Sequence, residues 1–246
     1  MTELFIATEL YVKNIDDLKI SIRHVTAKRE KVIIIAPGFF TSKDTKTYRG
    51  IEKDLSRSFD VISMDFRGHG KSQGFYTYSA NEKEDLKAVV DYAKSYGYKK
   101  IGVLGFSYGG AIAMVQTAEY KNIDSLVCVG SPMASEEIEF KWWTPEAFKL
   151  GILKFEWGNG VRPGNPFLKK VRSIDIVKFI SPTPIFFIHG TGDPTVDQRH
   201  SQMLYEAANE LKAIKLFENG SHAEEIYRRY PVDFVHVILS WFNSTL

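Results

Sequence analysis

Apolar positions in this chain gather in short β-branched runs, and the stretches between those runs repeat with a helical period. Lys19 to Val25 (KISIRHV) largely alternates, as a half-exposed strand does. Lys31 to Ala36 (KVIIIA) is a continuous apolar run, the pattern of a strand buried on both faces. Val61 to Asp65, Ile101 to Leu104, Leu126 to Val129 and Ile185 to Ile188 are similar, and Ile214 to Phe217 is a shorter candidate. Between them, Ser79 and Glu82 form an S-x-x-E capping-box pattern ahead of Leu86, Val89, Val90 and Ala93. That i, i+3, i+4, i+7 spacing puts four apolar side chains on one helix face, and Gly97 is placed to end the helix. Glu224 to Phe242 is also helical in pattern, with Pro231 as a boundary or kink. Alternating strands and helices predict an α/β fold whose central sheet is mostly parallel and flanked by helices.

The rhythm fails once. Met133 to Ser181 separates two buried strands by far more chain than the dozen or so residues a crossover needs. This stretch holds Phe140, Trp142, Trp143, Phe148, Phe155, Trp157 and Phe167, with a Gly/Pro-rich section GNGVRPGNP. The expectation is a core of residues 1–132 and 182–246, with a small cap of residues 133–181 inserted in the same domain. Trp142, Trp143, Phe148 and Trp157 are then candidate substrate contacts in an apolar pocket. The competing role is structural, because a small cap needs buried surface of its own and aromatics supply most per residue. Glu136, Glu137 and Glu139 could hold a substrate amine, but a solvated acidic face is the expectation.

Composition narrows the function classes. In 246 residues, 32 Lys plus Arg against 30 Asp plus Glu leave a net charge of +2, with no basic surplus for nucleic acid or an anionic membrane. A single cysteine, Cys128, forbids an intramolecular disulfide and suits a reducing compartment. The N-terminal MTELFIATELYVKN lacks the basic start and apolar core of a signal peptide. No run approaches the roughly 18 apolar residues that span a bilayer. A soluble, cytoplasmic protein without nucleic-acid partners is expected.

The sharpest chemical signal is Gly105-Phe106-Ser107-Tyr108-Gly109-Gly110, which follows the buried run IGVL and opens the small-residue stretch AIAMVQTA. A serine at a sharp strand-to-helix turn has a strained backbone that pushes its Oγ outward. Glycines two positions either side relieve the crowding such a turn creates. The helix that follows aims backbone N–H groups at any developing oxyanion.

Four further segments fall in an order that resembles the α/β-hydrolase family, in particular its small lipase- and esterase-like serine hydrolases. Gly105 to Gly109 resembles the family's nucleophile elbow, and Ala36-Pro37-Gly38-Phe39 stands in the place of its oxyanion loop. Asp65-Phe66-Arg67-Gly68-His69-Gly70-Lys71-Ser72 is similar to its D-x-R-G-x-G-x-S turn. His189-Gly190-Thr191-Gly192-Asp193 resembles the loop of the acid, and Gly220-Ser221-His222 that of the base. The resemblance runs from about Lys31 to Leu246, apart from the insertion, and implies an α/β-hydrolase fold with a cap after the sixth strand. It also implies a Ser107–Asp193–His222 triad, since Ser, Asp, His is the chain order of this fold. Serine needs a neighbouring imidazole to take its proton, and the imidazole a buried carboxylate to orient it.

Of six histidines, only His222 follows a late strand and lies after the candidate acid. Asp193 ends a buried strand before Pro194, whereas its rival Asp197 reads as an N-cap for DQRHSQMLYEAANEL. The backbone N–H groups of Phe39 and Tyr108 are the expected oxyanion donors. Many relatives have a histidine where this chain has Pro37, so a side chain that often braces that loop is missing. The reading implies no cofactor and no metal, and a small-molecule ester with an apolar or aromatic acyl part. Thioester or peptide hydrolysis by the same triad is the alternative, and a non-catalytic binding protein is the alternative of another class. Haloalkane dehalogenation is disfavoured, because that relative places an aspartate where this chain has Ser107.

Overall fold

The computed structural model describes residues 5–138 and 161–246. Eight strands form one sheet: β1 (Ile6–Lys13), β2 (Lys19–Thr26), β3 (Lys31–Ala36), β4 (Asp60–Met64), β5 (Lys100–Phe106), β6 (Ser125–Val129), β7 (Ile185–Gly190) and β8 (Lys212–Phe217). Their spatial order is β1-β2-β4-β3-β5-β6-β7-β8. β1 pairs antiparallel with β2, and β2 with β4; every other neighbour is parallel. Every predicted strand is present within a residue or two at each end. β1 was not anticipated.

The continuous apolar runs form strands covered on both faces. Ile34, Val103, Cys128 and Phe187 pack on one face with Leu86, Val89 and Val90 of α2 (Glu82–Tyr96) and Ile112 and Ala113 of α3 (Tyr108–Tyr120). Ile33, Ile35, Leu104 and Ile188 pack on the other, with Tyr48 and Ile51 of α1 (Lys46–Leu55) and Phe234, Ile238 and Phe242 near the C-terminus. Cys128 lies in the first cluster with no exposed surface.

Helix ends only partly follow the sequence signals. Gly97 ends α2 as expected, with φ +108° and its N–H donating to Ala93 and Lys94 carbonyls. The predicted capping box does not form. α2 starts at Glu82 itself, with Asn81 at the N-cap, and the Glu82 carboxylate instead accepts from the Thr77 N–H and hydroxyl. Pro231 is a boundary: it is the first residue of the last helix, which follows a short helix over Glu225–Arg229.

Between β6 and β7 the ends of the long connection belong to the core. Met133 and Ala134 on one side, and Val177 and Ile180 on the other, are buried against the first cluster. Trp142, Trp143, Phe148 and Trp157, with Phe140, Phe155 and Glu139, lie outside the described residues. Phe167 is 93% exposed. Arg172 pairs with Glu136 at 3.1 Å and Glu137 at 2.8 Å, all at least partly exposed, the solvated-face arrangement rather than an amine cradle. Among the described residues no helix is long and apolar enough to cross a membrane.

β3 hydrogen-bonds to β4 on one side and to β5 on the other, so the parallel part of the sheet is wound outward in both directions from there. In open α/β sheets ligands bind outside the carboxyl ends of the strands at such a switch point. The loops after β3, β5, β7 and β8 all leave from that edge, and they carry the Gly38, Ser107, Asp193 and His222 segments.

Candidate active site

Ser107 follows the last residue of β5 and precedes the first of α3, with φ +49° and ψ −117°. A non-glycine residue rarely adopts that conformation, and surrounding contacts must hold it there. Its N–H donates to Val129 O at 2.8 Å, fastening the turn to β6. Two of the predicted glycines make the turn possible, though each for its own reason. A Cβ on Gly105 would sit 2.5 Å from the Gly110 Cα and 2.8 Å from the Gly109 O. A Cβ on Gly109 would run into the carbonyl oxygens of Ala36 and Pro37. Gly109 is therefore small for the oxyanion loop's sake, rather than to clear Gly105. Gly109→Ala should lower the melting temperature by several degrees, because the elbow and that loop can no longer approach. An unchanged melting temperature in the variant would contradict this steric account.

The three predicted polar side chains meet. Ser107 Oγ lies 2.9 Å from His222 Nε2, and His222 Nδ1 lies 2.7 Å from Asp193 Oδ2. An ionised carboxylate only accepts, so Nδ1 carries the proton and Nε2 presents a lone pair to the Ser107 hydroxyl. Ser107 is 7% exposed, His222 4%, and the Asp193 side chain is fully buried. Burial opposes ionisation of Asp193. The charge of His222 and hydrogen bonds from His189 and His222 outweigh it, holding the carboxyl well below the usual carboxylate range. Its second oxygen, Oδ1, accepts from the N–H groups of Thr195 and Val196 at 2.8 and 3.0 Å. The rival Asp197 is exposed, and its carboxylate accepts the Arg199 N–H at 2.8 Å at the start of the helix Arg199–Ala207.

Neither the Phe39 nor the Tyr108 N–H has an acceptor among the described residues. The N–H of Gly38, the residue before Phe39, is already used: it donates to Tyr48 Oη at 3.1 Å. Gly38 also lies against the nucleophile, where a Cβ would be 3.3 Å from that of Ser107. The Phe39 ring stacks on Tyr76 at 4.8 Å, with Tyr108 5.8 Å away, so an aromatic wall adjoins the two N–H groups. Burial, with the Glu82 and Glu136 charges nearby, pushes the Tyr108 phenol up to about 12, so that wall is uncharged at neutral pH.

The D-x-R-G-x-G-x-S turn is scaffolding. Asp65 accepts from the Lys43 and Lys71 N–H groups at 2.8 and 3.1 Å and pairs with Lys43 Nζ at 3.2 Å, anchoring the far end of the Gly38 loop. Arg67 pairs with the buried Asp85 at 2.8 Å, and the Ser72 hydroxyl donates to Asp65 O at 2.6 Å. His69 Nδ1 donates to Arg67 O at 3.1 Å.

The fold agrees with the comparisons. A sequence profile described as the alpha/beta hydrolase fold matches residues 31–151. The structure superposes on an esterase of Pyrococcus furiosus, Pf2001, with a TM-score of 0.82 at 23% identity, covering 98% of this chain and 91% of that one. The chain has the α/β-hydrolase fold. Among its relatives in sequence, the Escherichia coli (strain K12) "uncharacterized protein YfhR" is 24% identical over 192 residues, covering 73% of this chain. The present chain spans 61% of that relative's length. The human "serine hydrolase BPHL" is 24% identical over 234 residues, covering 85% of this chain and 78% of its own.

Two side chains around the site escaped the sequence reading. His189 is read from the sequence only as the first residue of the Asp193 loop motif. Its Nε2–H donates to Val196 O at 2.8 Å and lies 3.3 Å from Asp193 Oδ2, while Ser201 Oγ donates to its Nδ1 at 2.6 Å. Tyr48, ten residues beyond Gly38, carried no motif at all. Its helix, α1, was not read from the sequence, and nothing in the spacing told which loop its buried face would meet.

Proposed function

We propose that this α/β-hydrolase is a serine carboxylesterase that works through an acyl-enzyme, with Ser107 as nucleophile, His222 as base and Asp193 as orienting acid. The observation that carries the reading is the relay Ser107 Oγ–His222–Asp193 at 2.9 and 2.7 Å, lying beside two backbone N–H groups with no acceptor among the described residues. Ser107 Oγ attacks the ester carbonyl as its proton passes to His222 Nε2, and the carbonyl oxygen takes up the negative charge. The Phe39 and Tyr108 N–H groups donate to that oxygen, stabilisation worth about 3–4 kcal/mol per donor in comparable sites. Asp193 stabilises the imidazolium without taking its proton. Collapse breaks the ester C–O bond, and His222 gives its proton to the departing alkoxide. Water then enters, loses a proton to the same imidazole, and attacks the acyl carbonyl. The acid leaves and Ser107 regains its proton.

The substrate we assign is a small or medium ester with an apolar or aromatic acyl part. Phe39, Tyr76 and Tyr108 form an uncharged aromatic wall beside the donors, which supports this assignment. Of residues 133–181, we propose the stretch between the buried ends as a cover over the site. In support, the described end of that segment runs along the loop that holds Tyr76: the Tyr76 N–H donates to Arg162 O, and the Gly164 N–H to Tyr76 O, both at 2.8 Å. A fluorophosphonate probe should label the protein at Ser107, and a panel of p-nitrophenyl esters should be turned over with acetyl to hexanoyl or benzoyl chains preferred. A protein that takes neither probe nor any ester, or that cleaves only thioesters, overturns the reading.

A further inference from the structure

The Asp193 side chain is fully buried, so each lone pair of its carboxylate must find a donor within the protein. A carboxylate has about four acceptor positions, and three of these are taken. Oδ1 accepts the Thr195 and Val196 N–H groups at 2.8 and 3.0 Å, and Oδ2 accepts His222 Nδ1 at 2.7 Å. A second imidazole meets the fourth. His189 Nε2, near the end of β7, lies 3.3 Å from that same Oδ2. Neither His189 nor Ser201, on the helix Arg199–Ala207, has any exposed surface.

The proton on His189 can be placed from its neighbours. Val196 O, 2.8 Å from Nε2, only accepts, so Nε2 carries the hydrogen. Nδ1 is then the acceptor, and the Ser201 hydroxyl donates to it at 2.6 Å. Val196 is itself buried and held twice, its N–H by Asp193 Oδ1 and its O by His189. The imidazole therefore closes the turn that presents the acid, and lays its N–H edge beside the oxygen that binds His222. A side chain buried only for packing needs neither contact. Leucine would fill the space and serve none of these polar groups.

We propose that His189 is a positioning residue for the acid of the triad: with its tautomer set by Ser201, it fixes the Asp193 turn through Val196 O and holds Oδ2 in line with His222 Nδ1. It touches no reacting atom and acts only through Asp193. A carboxylate free to turn about its Cβ–Cγ bond keeps its charge, but its bond to His222 loses direction. Geometry that is loose by about 1 Å near a reacting centre costs up to about 10²-fold in rate. The effect on rate rests on the esterase reading; the effect on the Asp193–His222 bond does not.

The test is a double-mutant cycle on kcat for a p-nitrophenyl ester. His189→Asn keeps an acceptor for Ser201 but is too short to reach Val196 O. It should lower kcat about ten- to a hundredfold, with KM changed less than about threefold. His189→Gln carries an amide N–H as far as Nε2 and should keep kcat within about fivefold of the parent. In the Asp193→Asn background, His189→Asn should cost less than about threefold more, because no carboxylate is left to aim. The far-downfield proton resonance of the His222 Nδ1–H, identified by its loss in His222→Gln, should shift in His189→Asn and keep its place in His189→Gln. His24→Gln is the control for losing a buried imidazole. Its nitrogens bond the Tyr92 and Tyr98 hydroxyls at 3.0 and 2.6 Å on β2, toward the opposite edge of the sheet from β7. That variant should lose melting temperature and keep kcat within about twofold. If His189→Asn does not fold, Ser201→Ala removes only the hydroxyl that sets the tautomer. It should lose about three- to tenfold in kcat and be equally non-additive with Asp193→Asn. Losses that multiply in the double variant, a glutamine variant or a control as slow as His189→Asn, or an unmoved resonance in His189→Asn overturn the inference. A wild-type protein without ester turnover or probe labelling overturns the esterase reading instead, and the resonance of the folded protein still decides the role of His189.

Discussion

Replacing Ser107 by alanine should remove ester turnover by a factor on the order of 10⁶ and abolish fluorophosphonate labelling, with the melting temperature within a few degrees of the parent. The size follows from the residue's position. Ser107 Oγ is the atom that would form the bond to the acyl carbon, and in comparable triads losing the nucleophile costs about as much as losing the whole triad. What survives is the contribution of the donors and of substrate binding. Stability should hardly move, because the change deletes one atom whose hydrogen bond is to His222. The backbone of the turn is held by the Ser107 N–H to Val129 O, which alanine keeps. Labelling of a different serine in the variant, or turnover within tenfold of the parent, would overturn the assignment.

Asp193→Asn should lower kcat by about 10²–10⁴ while Asp197→Asn leaves it within twofold. An asparagine at 193 can present an N–H where the carboxylate accepted one. His222 Nδ1 then gains from losing its proton, and Nε2 becomes protonated in the direction of Ser107, the wrong tautomer for a base. The buried carboxylate also stabilises the imidazolium that forms at the transition state, and a neutral amide does this poorly. Asp197 faces solvent and accepts one helix N–H, a task asparagine performs as well. The comparison is a paired measurement of kcat and melting temperature on the two variants. If the Asp197 variant loses activity and the Asp193 variant keeps it, the acid has been misassigned.

The parallel strands were legible because a strand buried on both faces must be apolar throughout, and β3 to β7 have almost no polar interruption. β1 was not, because its residues are mostly exposed and IATELYVK reads like an ordinary N-terminal segment. The elbow was legible for a steric reason that a pentapeptide carries by itself, although only the fold shows that Gly109 yields to Ala36 and Pro37. The Ser79–Glu82 capping pattern misled, since Thr77 competes for the same carboxylate and wins with both its N–H and its hydroxyl. Tyr48 and His189 were invisible because their partners, Gly38 and Phe106 in one case and Asp193 and Ser201 in the other, come together only when separate strands align. Spacing along the chain has no term for that.

The lone cysteine has a consequence for experiment. Cys128 lies in β6, between β5 and β7, fully covered on both faces, and burial alone pushes its thiol far above the range in which a thiolate exists near neutral pH. A thiol-specific reagent therefore finds nothing to modify while the sheet is closed, and the residue takes no part in the chemistry at the strand ends. Its modification instead counts openings of the central sheet. When reclosing is fast, the rate reports the free energy of the opening that exposes β6; when the reagent outruns reclosing, it reports the opening rate itself. The chain thus carries a single-site stopwatch for its own core, readable with no residue changed.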